Sequence, residues 1–170
     1  MKWFCMIEDF PTGESCFIDA NILGYASVEI LPFTASCRSF LGRVTAGEIF
    51  AFTSANAVAD ALFKTMMMEI TAGFVPPGTK ALAFVQNHPE VIRRLLHYPK
   101  AVEGLAKLPL RLLSLAWEAI KAGMHISVEQ GLLTNDAMIV ALMRRHQLSH
   151  LITNDDDFDA VPGLTIWKPR

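Results

Sequence analysis

Leu132-Leu133-Thr134-Asn135-Asp136-Ala137-Met138-Ile139-Val140-Ala141-Leu142-Met143, followed after a polar interval by His150-Leu151-Ile152-Thr153-Asn154-Asp155-Asp156-Asp157-Phe158, is the stretch around which this chain is organised. Asp136 is followed by Ile139, Val140 and Met143 at i+3, i+4 and i+7, so it heads the apolar stripe of a helix that opens there. A carboxylate directed into a core is costly unless something compensates it. No lysine or arginine stands at i+3 or i+4, and Arg144 and Arg145 fall on the other side of the helix. The second segment is a short apolar strand that breaks straight into acids. Carboxylates sent toward one place without a basic partner imply a cation.

The composition sets the frame. At 170 residues the chain is one domain spanning 1–170, large enough to bury a substantial core. A net charge of −2 and a pI near 6.2 give no bulk attraction to nucleic acid, so a polyanion must be held locally or through metal. An apolar content of 52% predicts a buried homodimer or larger-oligomer face, or an obligate partner. Uncharged runs stop well short of the roughly 18 residues of a spanning helix, so no membrane association is expected. The first residues, Met1-Lys2-Trp3-Phe4-Cys5-Met6-Ile7-Glu8-Asp9, lack an apolar region of signal-peptide length. Three cysteines (Cys5, Cys16, Cys37) with no CxxC fit a reduced, cytoplasmic setting.

Outward from the decisive stretch, the elements alternate. Met1–Asp9 reads as an extra edge strand or a leader, making 1–14 an N-terminal extension. Cys16-Phe17-Ile18 is an apolar run of the kind buried on both faces of a parallel sheet, and it ends in Asp19-Ala20-Asn21. Ile22–Val28 and Pro32–Gly47 read as helices, Ile49–Phe52 as a strand, and Thr53-Ser54 as the cap of a long helix to about Thr71. Gly73–Gly78 is a break. Residues 74–108 then form a helical insertion with pieces at Ala81–Asn87, Glu90–Leu96 and Val102–Lys107. Leu110–Leu113 is a strand, Ala116–Glu129 a helix, and Leu164–Trp167 a last strand. Strands separated by helices predict an α/β layer fold with a mostly parallel sheet.

In such sheets ligands bind beyond the carboxyl ends of the strands. Asp19 and Asp155 each follow a strand and reach that rim, and Asp136 reaches it from its helix. Asp60 lies in the helix capped by Thr53-Ser54, on a surface of small residues including Ala57 and Ala61. Four carboxylates are hard oxygen ligands that select Mg²⁺ or Mn²⁺ over zinc or copper. The five histidines form no HExxH pair, and no P-loop, GxGxxG or GxSxG is present. Metal-assisted phosphodiester chemistry is the leading enzyme class for an all-acid rim. Plainer readings stand beside it. Asp60 has Lys64 at i+4 as a surface partner, Asp19 can cap the following helix, and Asp156 fits a solvated turn.

Asp19-Ala20-Asn21, Ser54 with Asp60, Leu133-Thr134-Asn135-Asp136-Ala137, and Thr153-Asn154-Asp155-Asp156-Asp157-Phe158 ahead of Val161-Pro162-Gly163-Leu164 resemble a PIN domain. The nearest likeness is to the VapC-like ribonuclease toxins of type II toxin–antitoxin pairs. The resemblance runs from Cys16 to Pro169 and is strongest in the C-terminal third. It implies a three-layer α/β/α sandwich, an acidic pocket binding Mg²⁺ or Mn²⁺, RNA cleavage by metal-activated water, and inhibition by a cognate antitoxin. On that likeness Asp19, Asp136 and Asp155 match the family's metal-binding, catalytic acids, with Asp60 completing the set. Asp157 matches an additional acid, and Asn21, Ser54 and Asn154 match supporting positions.

Two departures stand out. Asp60 falls where the family has glutamate, and the extension and insertion lengthen the chain. The alternative to an endoribonuclease is therefore a non-catalytic PIN-fold module that binds RNA or protein. A nucleophilic-aspartate phosphatase fits less well, because position 21 is asparagine where a second aspartate is wanted.

Overall fold

The computed structural model describes residues 5–170. Six strands, β1 (Cys5–Met6), β2 (Ser15–Ile18), β3 (Phe50–Ser54), β4 (Arg111–Leu113), β5 (His150–Ile152) and β6 (Thr165–Lys168), form one sheet in the order β1-β6-β5-β2-β3-β4. Every pairing is parallel. Of the extension, Cys5–Met6 is the edge strand and Ile7–Asp9 a 3-10 turn whose Ile7 is buried; residues 1–4 lie outside the described residues.

Side-chain alternation along the central strands divides the core in two. Cys16 and Ile18 of β2 and Ile152 of β5 enter one cluster, while Phe17 and Leu151 enter the other. The first cluster is covered by α1 (Ala20–Ser27), α2 (Phe33–Thr45) and α3 (Ala55–Gly73). The second is covered by α6 (Trp117–Gln130) and α7 (Thr134–Arg145), whose Ile139, Val140, Leu142 and Met143 are buried. Helices on both faces of a parallel sheet make the three-layer α/β/α sandwich expected of the PIN resemblance.

Between these layers, α4 (Ala81–Asn87), a 3-10 stretch (Pro89–Arg94) and α5 (His97–Ala106) lie against the second half of α3. Ile70, Val85, Val91 and Leu95 form a third, smaller cluster there, with Met66 and Met67 against it. The helical piece expected at Glu90–Leu96 is a 3-10 helix over Pro89–Arg94. The third piece starts at His97, earlier than its expected start at Val102. Pro99 is accommodated because it lies in the first turn, where an N–H has no intrahelical acceptor anyway. Glu69 of α3 completes that turn. Its Oε1 accepts from Leu96 N at 2.6 Å and its Oε2 from Tyr98 N at 2.8 Å. Likewise α7 opens at Thr134 and not at Asp136, which puts Asp136 in the first turn, where the orphan N–H groups favour an anion.

Candidate functional site

The carboxyl ends of β2 and β5 are neighbours in the sheet, so the residues that leave them emerge side by side. Asp19 follows β2 directly and caps α1, its Oδ1 accepting from Ala20 N at 2.6 Å. Its Oδ2 accepts from Asn21 Nδ2 at 2.6 Å and from Thr153 Oγ1 at 2.8 Å. Thr153 also accepts, from Asn21 Nδ2 and from Asp155 N, each at 3.0 Å. Asn154 N donates to Asn21 Oδ1 at 3.1 Å. Burial pushes the Asp19 carboxyl above the ordinary aspartate range, against the hydrogen bonds from Thr153 and Ala20.

Asp155 heads a short 3-10 turn (Asp156–Ala160), its Oδ1 accepting from Asp157 N at 2.9 Å. That turn aims Asp155 and Asp157 one way and Asp156 the other. Asp156 is mostly in solvent and contacts Lys168, as the solvated-turn reading had it. Asp136 arrives from the first turn of α7. Asp19, Asp60, Asp136, Asp155 and Asp157 all line one cleft of about 500 Å³ with Asn21, Ser54 and Lys64.

Within the cleft, one ligand oxygen each from Asp136, Asp155 and Asp157 lies within 4.8 Å of the others. Asp136 is pushed up to about 6, first by burial and then by the charges of Asp155, Asp19 and Asp157. The residues fit a hard divalent cation: the cleft concentrates five carboxylates, and Lys64 is the one basic residue among its described lining to offset their mutual repulsion.

The tight trio differs from the one anticipated, because Asp157 takes the place beside Asp136 and Asp155 and Asp19 borders them. Asp19 is held aside by donors on both oxygens. Asp60 lines the same cleft, with its Oδ2 2.7 Å from Lys64 Nζ. Ser54 is buried and caps α3, accepting from Ala57 N at 3.1 Å. Asn154 stands behind the cleft, its Nδ2 3.4 Å from the Tyr25 hydroxyl.

Two cleft features escaped sequence reasoning. No motif in the sequence marks Thr153, although a hydroxyl leaving a buried strand beside acids is a signal for such a hub. Lys64 is the surface partner of Asp60 that the i,i+4 spacing implies, and it lines the cleft as well. His146 and His150 do have HxxxH spacing, but they make no helical metal pair. His146 ends α7, and His150 lies in β5 with Nδ1 accepting from Trp167 Nε1 at 3.1 Å. Among the described residues no helix is long and apolar enough to cross a membrane.

The chain is similar to known proteins in part of its sequence and in its fold. The family model described as PIN domain matches residues 84–164, a span that includes Asp136, Asp155 and Asp157. Ribonuclease VapC6 of Methanocaldococcus jannaschii is 37% identical over 59 residues, which is 35% of this chain and 39% of that protein. The fold is shared with VapBC2 from Rickettsia felis bound to a DNA fragment from their promoter (TM-score 0.57, 14% identity, 92% of this chain and 99% of that one). It is shared too with Mycobacterium tuberculosis VapC20, a sarcin–ricin loop cleaving toxin (TM-score 0.55, 14% identity, 86% and 95% covered). With the parallel sheet and the acidic cleft at its carboxyl edge, the chain is thus similar to PIN-domain proteins over residues 84–164 and shares the fold of the VapC structures.

Proposed function

We propose that this protein is an endoribonuclease that depends on Mg²⁺ or Mn²⁺ and serves as the toxin of a toxin–antitoxin pair. One observation carries the reading: the oxygens of Asp136, Asp155 and Asp157 converge within 4.8 Å, bordered by the buried Asp19. Those four residues would hold the metal. When bound, a divalent ion would supply Lewis-acid activation of a water for attack on a phosphodiester.

The chain's own residues do the rest. Asp136 and Asp155 present acceptors from two different elements, so closure of the site requires the sheet and α7 to be docked. Thr153 and Asn21 fix the Asp19 carboxylate in one rotamer. Asp155 and Asp157 are tied by the 3-10 turn between them. RNA as substrate and an antitoxin protein as partner follow the VapC relatives, and the exposed Phe63, Met68 and Trp117 favour self-association.

The test is cleavage of RNA with Mn²⁺ by the wild type and by Asp155→Asn. We expect loss of cleavage in the variant and in EDTA. Wild-type cleavage that survives EDTA would refute the mechanism. The ion pair between Asp60 and Lys64 favours a second reading, a PIN-fold module that binds without cutting. A wild type that binds RNA but leaves it intact with either metal would select that reading.

A further inference from the structure

A cleft lined by five aspartates repels the substrate it is proposed to cut, because each phosphodiester carries a negative charge. A divalent ion cancels part of that charge. Among the described residues lining the cleft, Lys64 is the single basic one. Its ammonium lies one helical turn beyond Asp60 on α3, held at 2.7 Å, and about half its side-chain surface remains in solvent.

Lys64 also lines the adjoining apolar cleft of about 660 Å³, with Tyr25, Phe63 and Met67. It therefore stands where the acidic cleft and the apolar cleft meet. A lysine there is a point charge on a flexible stem, suited to a phosphate in variable register.

We propose that Lys64 is a substrate-contacting residue that binds a backbone phosphate of the RNA at the mouth of the acidic cleft. Asp60 is its positioning residue and no metal ligand. The proposal rests on the nuclease reading and deepens it. Asp60 is one methylene shorter than glutamate and already committed to Lys64, so it orients the ammonium across the cleft mouth. The metal is left to Asp136, Asp155 and Asp157 with Asp19.

The experiment uses the full chain, a fluorescent 2′-O-methyl RNA oligonucleotide that resists cleavage, and Mn²⁺. Oligonucleotide affinity is read by anisotropy over a salt series, and Mn²⁺ affinity by calorimetry without RNA. Lys64→Gln is expected to weaken oligonucleotide binding about tenfold and to lower the salt slope by about one. Lys64→Arg keeps the charge and should stay within about threefold of wild type. With cleavable RNA, Lys64→Gln should raise KM far more than it lowers kcat. Asp60→Asn should leave Mn²⁺ affinity within about threefold while weakening the oligonucleotide severalfold.

Lys64→Gln binding the oligonucleotide as wild type does would overturn the phosphate role. So would a wild type that binds Mn²⁺ but no oligonucleotide. A tenfold loss of Mn²⁺ affinity in Asp60→Asn would make Asp60 a ligand and overturn the positioning role. A wild type that binds no Mn²⁺ sinks the nuclease reading itself, and with it this assignment. Calorimetry thereby separates the two failures.

Discussion

Thr153 donates its hydroxyl to Asp19 Oδ2 at 2.8 Å, across 134 residues of sequence. Thr153 Oγ1 also accepts from Asn21 Nδ2 and Asp155 N, so one side chain joins the end of β2 to the turn that carries Asp155. A hydroxyl offers one donor and two acceptor sites, and here all three are used.

Thr153→Val keeps the shape and removes all three bonds. It leaves a buried carboxylate short of a donor and the Asp155 N–H without its acceptor. We expect a loss on the order of 2 kcal/mol in denaturant unfolding, together with weaker Mn²⁺ binding. Thr153→Ser should restore most of both. A Thr153→Val protein as stable as wild type would show that the hub adds nothing to the fold.

Asp136 makes the metal-free protein sensitive to pH. Its folded-state pKa is raised to about 6 from the ordinary aspartate value of 3.8. The folded state therefore binds the proton more tightly than the unfolded chain does. The stabilisation is complete below about 3.8 and is lost as pH rises through about 6. Asp136→Asn should remove that part of the pH dependence. At neutral pH without metal it should raise stability by on the order of 1 kcal/mol, after allowing for the half-exposed position. Thermal melts of both proteins in EDTA across pH 4 to 8 (about four units) test this. Parallel curves would refute it.

Gly123 of α6 lies against α7 just beside the site. A Cβ built there would sit 3.1 Å from Met138 Cγ and 3.2 Å from Met138 Cα. Gly123→Ala must therefore push α7, two residues from Asp136. The expected cost is about 1 kcal/mol of stability, with severalfold lower cleavage as Asp136 moves. Gly42→Ala is the control, since a Cβ there meets nothing within 4 Å. Better helix propensity should make that variant slightly more stable. Equal melting temperatures for Gly123→Ala and wild type would show that the helices give way freely.

Glu69 ties α5 to α3 by accepting from Leu96, His97 and Tyr98 N. Glu69→Ala leaves those donors without their carboxylate. A loss of about 1 kcal/mol is expected. Amide exchange should quicken across residues 97–106 while the central strands stay protected. Unchanged exchange in α5 would mean that the third cluster alone holds it in place.

Much of the architecture was legible in the residues because its signals are local. Cys16-Phe17-Ile18 and His150-Leu151-Ile152 are short apolar runs that end in polar residues, which identifies both the strands and the rim where they stop. Thr53-Ser54 announces the start of α3, and Ile139, Val140 and Met143 announce the buried face of α7. The acids at 19, 136 and 155 stood out because carboxylates were placed where apolar neighbours predict burial. The 3-10 stretch at Pro89–Arg94 and the early start of α5 were not legible. Both depend on contacts with α3, including the Glu69 cap.

What the sequence determined by itself is the alternation of strands and helices, a mostly parallel sheet and the gathering of acids on one edge, since strand period, helix period and caps are local properties. Only the tertiary structure decided which oxygens face one another. Asp157 joined Asp136 and Asp155 because the 3-10 turn at Asp156–Ala160 folds it back, while donors from Ala20, Asn21 and Thr153 hold Asp19 aside. Likewise, i,i+4 spacing foretold that Lys64 meets Asp60, but only the docking of α3 against the sheet put that ammonium at the mouth of an acidic cleft. Pairings inside one helix follow from its period. Which faces converge across the fold follows from packing.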